Sequence, residues 1–206
     1  MSPITPIAPV ICLASVSPRR RELLSQIGVS HIVAGADIDE AVLPGETPCA
    51  YVTRLAREKA LAIRRAGQQL PVLAADTTVV VDGNIFGKPL DREHAVYMLG
   101  ELAGRAHEVL TAVALAGPHG VTERWSSSMV RFRKIAPEEC VAYWETGEPR
   151  DKAGGYAIQG LGAVFVESLS GSYSGVMGLP LFETGELLQA AGIEYWNGPG
   201  PSGDRA

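Results

Sequence analysis

The sequence predicts an α/β protein with a mixed, twisted β-sheet flanked by helices, and three observations carry that prediction. Short apolar runs of strand type alternate along the chain with segments of helical periodicity. Two long β-type segments, Val109 to Ala116 and Val121 to Phe132, flank Gly117-Pro118-His119-Gly120, which reads as a hairpin and excludes an all-parallel sheet. The chain has 206 residues, 46% of them apolar and 20% charged, enough for a core without disulfide or metal staples.

Each element follows from its residues. Val10 to Ala14 is a short strand, and Ser17-Pro18 after it is the pairing that starts helices. The helix predicted from there runs to Ile27, stops at Gly28, and presents Leu23, Leu24 and Ile27. Thr47-Pro48 starts a second helix, in which Val52, Leu55, Ala56, Ala60 and Ile63 recur at helical spacing up to Gly67. Leu70 to Ala75 is a buried-type strand ending at Asp76-Thr77. Val79 to Val81 follows, before the turn Asp82-Gly83-Asn84. Asp91 caps a helix that buries Ala95, Met98, Leu99 and Leu102. Beyond the hairpin, Pro137 to Thr146 is a helix with Val141 and Trp144 inward. Ala163 to Val166 reads as a strand, Gly171 to Gly178 as a loop, and Pro180 to Ala191 as a closing helix with Leu181, Leu187 and Leu188 buried. The organisation expected is a flexible leader over 1–9, one domain over 10–196 and a flexible tail over 197–206.

Composition excludes several classes of function. Eighteen Lys and Arg against 23 Asp and Glu give a net charge of −5. Nucleic-acid binders draw most of their affinity from phosphate neutralisation, so this balance argues against DNA or RNA as partner. A few cations in a cleft still suffice for a small phosphorylated ligand. Cys12, Cys49 and Cys140 form no CxxC pair and have no histidine at metal-ligand spacing. That argues against a disulfide framework or zinc site and suits a reducing cytoplasm. The first ten residues have no basic region and contain three prolines, unlike a signal peptide. No window approaches 18 uninterrupted apolar residues, so no membrane span is expected.

Five places in the chain are candidates for chemistry. Ser15 to Arg21 places hydroxyls and three arginines at a helix N-terminus, where backbone N–H groups and the helix dipole favour an anion. The plain alternative is a surface helix with solvated arginines. Asp76, at the expected C-terminal end of a strand, can hold a divalent metal or take a proton from water, or simply cap a turn. Lys59 reads on its own as a solvated helix face, and Lys88, in Gly87-Lys88-Pro89, lacks the glycine spacing of a P-loop. Gln159, in a glycine-rich segment, has donor and acceptor side by side and can match the imide edge of uracil or thymine. The four histidines form no cluster, and no GxSxG is present.

Taken in order, Leu13-Ala-Ser-Val-Ser-Pro-Arg-Arg-Arg-Glu-Leu-Leu24, Ala75-Asp-Thr77, Gly87-Lys-Pro89, Leu102-Ala-Gly-Arg-Ala-His107, Thr146-Gly-Glu-Pro-Arg-Asp-Lys-Ala-Gly154, Ala157-Ile-Gln-Gly160 and Gly171-Ser-Tyr-Ser174 with Gly178-Leu-Pro-Leu181 resemble the Maf family of nucleotide pyrophosphatases. The resemblance covers residues 11 to about 192. It implies an elongated fold related to the inosine-triphosphate pyrophosphatases, with a central cleft. It also implies metal-assisted hydrolysis (Mg²⁺ or Mn²⁺) of a nucleoside triphosphate to the monophosphate and pyrophosphate. The Asp-Thr and Ile-Gln-Gly forms are similar to the branch acting on dTTP and UTP, with house-cleaning of modified pyrimidine nucleotides a further role. A sister branch acts on 7-methyl-GTP, and the family is also linked to septum formation, which leaves a nucleotide-binding regulator of cell division as an alternative. Carried over, Asp76 is the proton acceptor, Arg19, Thr77 and Gln159 set substrate choice, and Glu40, Lys59 and Lys88 line the cleft. Homodimerisation is implied as well. Two departures are visible: Ala103 where the family has serine, and Gly175 where asparagine is common.

Overall fold

One long strand organises the fold. The structure, a computed structural model, describes residues 8–196. The tail expected over 197–206 and all but the last two residues of the expected leader lie outside them. The first half of the chain forms β1 (Ile11–Leu13), α1 (Pro18–Gln26), β2 (His31–Val33), α2 (Pro48–Arg65), β3 (Val72–Val81) and β4 (Asn84–Phe86). The second half forms α3 (Arg92–Leu102), the hairpin β5 (Ala106–Gly117) and β6 (Gly120–Phe132), α4 (Pro137–Glu145), β7 (Val166–Ser170), α5 (Tyr173–Met177) and α6 (Leu181–Ala190). The seven strands form one mixed sheet in the order β2-β1-β3-β5-β6-β7, with β4 also paired to β3. β1 pairs in parallel with β2 and β3, whereas the other pairings are antiparallel.

Alternation along β3 and β5 divides the core. On one face Ala74, Val80, Leu110, Ala112 and Ala114 pack under α2, whose Val52, Leu55, Ala56 and Ala60 are buried. Thr47 caps that helix by accepting from the Ala50 N–H. The opposite face carries two separate clusters. Ala75 and Val113 belong to one, beneath α1 and α6. Val79 and Val109 belong to the other, beneath α3 and α4. Each fully buried leucine there, such as Leu24, Leu99 or Leu188, contributes about 1.5–3 kcal/mol. Between the clusters, on the same face, lie Thr77 and its register partner Thr111.

Several expectations are corrected. Leu70 to Ala75 and Val79 to Val81 are one strand, because β5 pairs with β3 without a break through Asp76↔Ala112 and Thr77↔Thr111. Asp76 is therefore in the middle of a strand and not at its end. α4 buries Cys140 and Tyr143 in place of Val141 and Trp144. Tyr143 is drawn inward because its hydroxyl donates to Glu148 (2.6 Å) and accepts from the Ala157 N–H (3.1 Å), while Trp144 lies against the Arg150 guanidinium. Residues 161–165 form a 3-10 turn, and the strand begins only at Val166. The Glu148 carboxylate holds that turn by accepting from the Leu161 and Gly162 N–H groups, both at 2.9 Å. The Gly171 to Gly178 loop contains α5, capped by Ser172, whose hydroxyl accepts from the Gly175 N–H. β2, absent from the sequence reading, is a half-exposed edge strand.

Candidate active site

The cleft arises because β3 forks. One edge of β3 is filled by β5. The other pairs with β1 at Val72 and Leu73 and with β4 from Val79 to Val81, leaving residues 75–78 without a strand neighbour on that side. β1 ends at Leu13, and the chain turns away through Ser15 and Ser17 into α1. Over the open stretch lies a cavity of about 360 Å³. Asp76 thus lies at the carboxyl end of the parallel half of the sheet, although its own strand continues past it. Ligands of α/β sheets bind outside such ends.

Successive residues of a strand face opposite ways, so the cleft has two sides. Asp76 faces α2. Its carboxylate accepts from Lys59 Nζ at 2.6 Å, and the same ammonium contacts Glu40 at 2.6 Å. Lys59 and Asp76 are buried, against the solvated face expected for Lys59; the lysine occupies the apolar stripe of α2 between Leu55 and Ile63. Burial pushes the Asp76 carboxyl above the usual aspartate range, against the opposing charges of Lys59 and Arg20. Burial also acts on Glu40, but there its bond to Lys59 and the charges of Lys59, Lys88 and Arg20 prevail and hold it low. Tyr51 steadies the segment carrying Glu40 by donating to the Glu40 carbonyl at 3.0 Å.

Thr77 faces the other way, toward α5. Arg20 reaches it with Nη2 at 3.2 Å, and Arg20 Nε donates to the Gly178 carbonyl at 2.7 Å. Gly178 ends α5 at φ 111°, and a Cβ there would stand 3.3 Å from Arg20 Nε, so both conformation and space favour glycine. No side chain caps the first turn of α1, since the Ser17 hydroxyl expected there makes no capping bond. Its end opens on the cleft beside Arg19. Burial lowers the Arg19 pKa, opposed by Asp151 and Glu148, yet a guanidinium stays charged.

The fold brings all seven residues singled out from sequence into this cleft: Arg19, Glu40, Lys59, Asp76, Thr77, Lys88 and Gln159 all line it. Lys88, just past β4, and Gln159, before the 3-10 turn, are exposed at the rim. Lys152 and Tyr156, which sequence reasoning did not single out, also line the cleft, and so does Arg20, which it grouped with Arg19 as a phosphate contact without assigning it a role at the site. Arg20 stood beside Arg19 in the same motif, and only the rotation of α1 decides which arginine turns inward. Among the described residues, no group of three or more His, Cys, Asp or Glu is placed to hold a metal. Of the carboxylates lining the cleft, Asp76 and Glu40 are gathered on one ammonium, and Asp151 stands apart from them beside Lys152. The Asp76 and Glu40 pair does not make an all-protein cage. It fits a Mg²⁺- or Mn²⁺-type ion that keeps waters and shares one or two carboxylates with the phosphates of a ligand.

A mixed sheet forked around a buried carboxylate, ringed by lysines and arginines and an uncapped helix end, defines an α/β protein with a cleft for a phosphorylated ligand. The chain belongs to the Maf family. The family model described as Maf-like protein matches residues 10–191. The chain is 53% identical over 193 residues to the dTTP/UTP pyrophosphatase of Alkalilimnicola ehrlichii, covering 91% of this chain and 95% of that protein. It is 51% identical over 206 residues to the dTTP/UTP pyrophosphatase of Nitrosomonas europaea (94% and 100% covered) and 50% identical over 190 residues to that of Hahella chejuensis (91% and 94% covered).

Proposed function

We propose that this protein is a nucleoside triphosphate pyrophosphatase that converts dTTP and UTP to the monophosphate and pyrophosphate. The observation that carries the reading is the pairing of a buried, lysine-held Asp76 on one side of the forked strand with Thr77 and Gln159 on the other. The names of relatives at about 50% identity support it. Asp76 orients water and takes its proton as the water oxygen attacks the α-phosphorus, and the bond from that phosphorus to the α–β bridging oxygen breaks. Burial makes this aspartate a stronger base than a solvated one. Arg19, Lys59 and Lys88 offset the charge moving onto the pyrophosphate. Asp76 and Glu40 would hold a divalent ion, which would supply further neutralisation of the phosphates. Thr77 and Gln159 meet the base.

The working form is a cytoplasmic homodimer without nucleic-acid or membrane partners. Cys12, Cys49 and Cys140 are all free thiols, which fits a reducing compartment, and among the described residues no helix is long and apolar enough to cross a membrane. The test is pyrophosphate release from dTTP, UTP, CTP, 7-methyl-GTP and ITP, with and without Mg²⁺ or Mn²⁺, by the wild type and Asp76→Asn. Metal-dependent release centred on dTTP and UTP is expected, with Asp76→Asn folded but at least about 100-fold slower. Activity on 7-methyl-GTP alone overturns the substrate choice. Nucleotide binding without release turns the protein into a regulator.

A further inference from the structure

Beneath the cleft floor, on the α5 side, three polar side chains form one chain of hydrogen bonds whose direction can be worked out. Thr77 Oγ1 lies 3.2 Å from Arg20 Nη2 and 3.0 Å from Thr111 Oγ1, and Thr111 Oγ1 lies 2.8 Å from the Gly175 carbonyl oxygen. A hydroxyl has one hydrogen, a carbonyl oxygen has none, and a guanidinium only donates. The Thr111 hydrogen must therefore lie on the 2.8 Å line to Gly175; otherwise two oxygens face each other there with no proton between them. Thr111 is 1% exposed, so solvent offers its hydroxyl no substitute. The 3.0 Å contact then takes its hydrogen from Thr77, which donates to Thr111. Arg20 occupies one lone pair of Thr77. What Thr77 has left for the cleft is a lone pair.

We propose that Thr111 is a positioning residue that fixes Thr77 as a hydrogen-bond acceptor, so that the cleft prefers a pyrimidine bearing N–H at ring position 3, as uracil and thymine do, over cytosine, whose ring nitrogen there is bare. The inference rests on the dTTP and UTP reading above and names the residue that enforces it against cytosine. Gln159 alone does not select, because its amide can turn to offer a donor or an acceptor to either base. An acceptor held opposite a bare ring nitrogen leaves two lone pairs facing each other, and sites built around a substrate N–H discriminate strongly against analogues lacking it.

The experiment compares kcat/KM for UTP and CTP in the wild type, Thr111→Val, Thr111→Ser, Thr77→Val and the Thr77→Val/Thr111→Val pair. The wild type favours UTP. In Thr111→Val the Thr77 hydroxyl loses its inward acceptor and can donate to the cytosine nitrogen, so the CTP:UTP ratio rises about tenfold, the worth of one hydrogen bond. Thr111→Ser keeps the hydroxyl and restores the wild-type ratio. In the Thr77→Val background Thr111→Val leaves the ratio unmoved, which a general loosening of α5 would not do. Should Thr111→Val fail to fold, Thr111→Ala is put through the same comparison. An unchanged ratio on removing the Thr111 hydroxyl, or an equal shift with and without the Thr77 hydroxyl, overturns the proposal. Equal wild-type use of UTP and CTP overturns it together with the dTTP and UTP preference proposed above, whereas a UTP preference that survives loss of the Thr111 hydroxyl overturns it alone; no release from either nucleotide overturns the pyrophosphatase reading first.

Discussion

Replacing Lys59 with methionine keeps most of the aliphatic stem and deletes the ammonium shared by Asp76 and Glu40. The two contacts are equal in length, 2.6 Å, and unequal in worth. Glu40 has a side chain 43% exposed, which places its contact among solvent-screened pairs of about 0.2–1 kcal/mol. Lys59 and Asp76 are each 11% exposed, and removing one partner of a buried pair costs about 3–5 kcal/mol, because a charge stays behind without compensation. Arg20 still acts on Asp76, so the expected loss is at the low end, about 3 kcal/mol. That is a large share of a typical folding free energy. The pH dependence has a definite sign. Asp76 in the fold already titrates above its ordinary range through burial, and losing Lys59 raises it further. The folded variant then holds a proton that the unfolded chain releases, so its stability is greatest at low pH and declines as pH rises through the folded value. Asp76→Asn introduced into Lys59→Met removes the stranded charge and restores most of the loss. Urea unfolding at pH 5 and pH 8 measures all of this. Lys59→Met as stable as wild type at pH 8, or an Asp76→Asn change that destabilises it further, refutes the reasoning.

Two further outcomes follow from other parts of the fold. A Cβ at Gly160 would collide with Glu148 Oε2, so Gly160→Ala displaces the carboxylate that holds the Leu161 and Gly162 N–H groups. The expected result is a loss of about 1–3 kcal/mol in urea unfolding and a raised KM for UTP as the neighbouring Gln159 shifts; unchanged values for both would show that the turn does not depend on Glu148. His107 is buried against Tyr156, with Nε2 2.9 Å from its hydroxyl and Nδ1 without a partner among the described residues, and burial pushes its pKa down to about 4. The unfolded chain binds this proton more readily, so stability falls as pH drops from about 6.5 toward 4. His107→Gln flattens that fall in denaturation curves recorded across the range, and an equally steep fall in the variant excludes His107 as its source.

What was legible in the sequence is what neighbours along the chain decide. Asp91 caps α3 by accepting from the His94 N–H at 2.8 Å, and the four residues expected on its inner face are its four buried residues. Thr47-Pro48 starts α2, and Pro118-His119 joins the hairpin. What was not legible depends on distant partners. Glu148 bends residues 161–165 into a turn, although Ala163 to Val166 looks like a strand locally. Tyr143 turns α4 by one residue for the same carboxylate. The break expected at Asp76 fails because β5 supplies the missing register partners. Signals for burial at two polar positions of the site were present. Lys59 stands at an apolar position of an amphipathic helix, and Thr111 is a single hydroxyl in the apolar run from Val109 to Ala116. Each is costly to bury unless something meets it.

The fork in β3 ties these observations together. A sheet face packed continuously by helices would leave no room for a ligand, and a strand paired along both edges would leave no backbone open. Here the open edge over residues 75–78 and the boundary between two apolar clusters coincide at one step of the strand, with Asp76 on one side and Thr77 on the other. Polar side chains are tolerated there because each finds a partner from a different element: Lys59 from α2, Arg20 from α1, Thr111 from β5 and the Gly175 carbonyl from α5. The charge chemistry and the base selection proposed for this protein are thus separated by one Cα–Cα step of about 3.8 Å and by the pleat of a single strand. A change to the register between β3 and β5 would disrupt both at once, whereas changes at Lys59 or Thr111 should separate them.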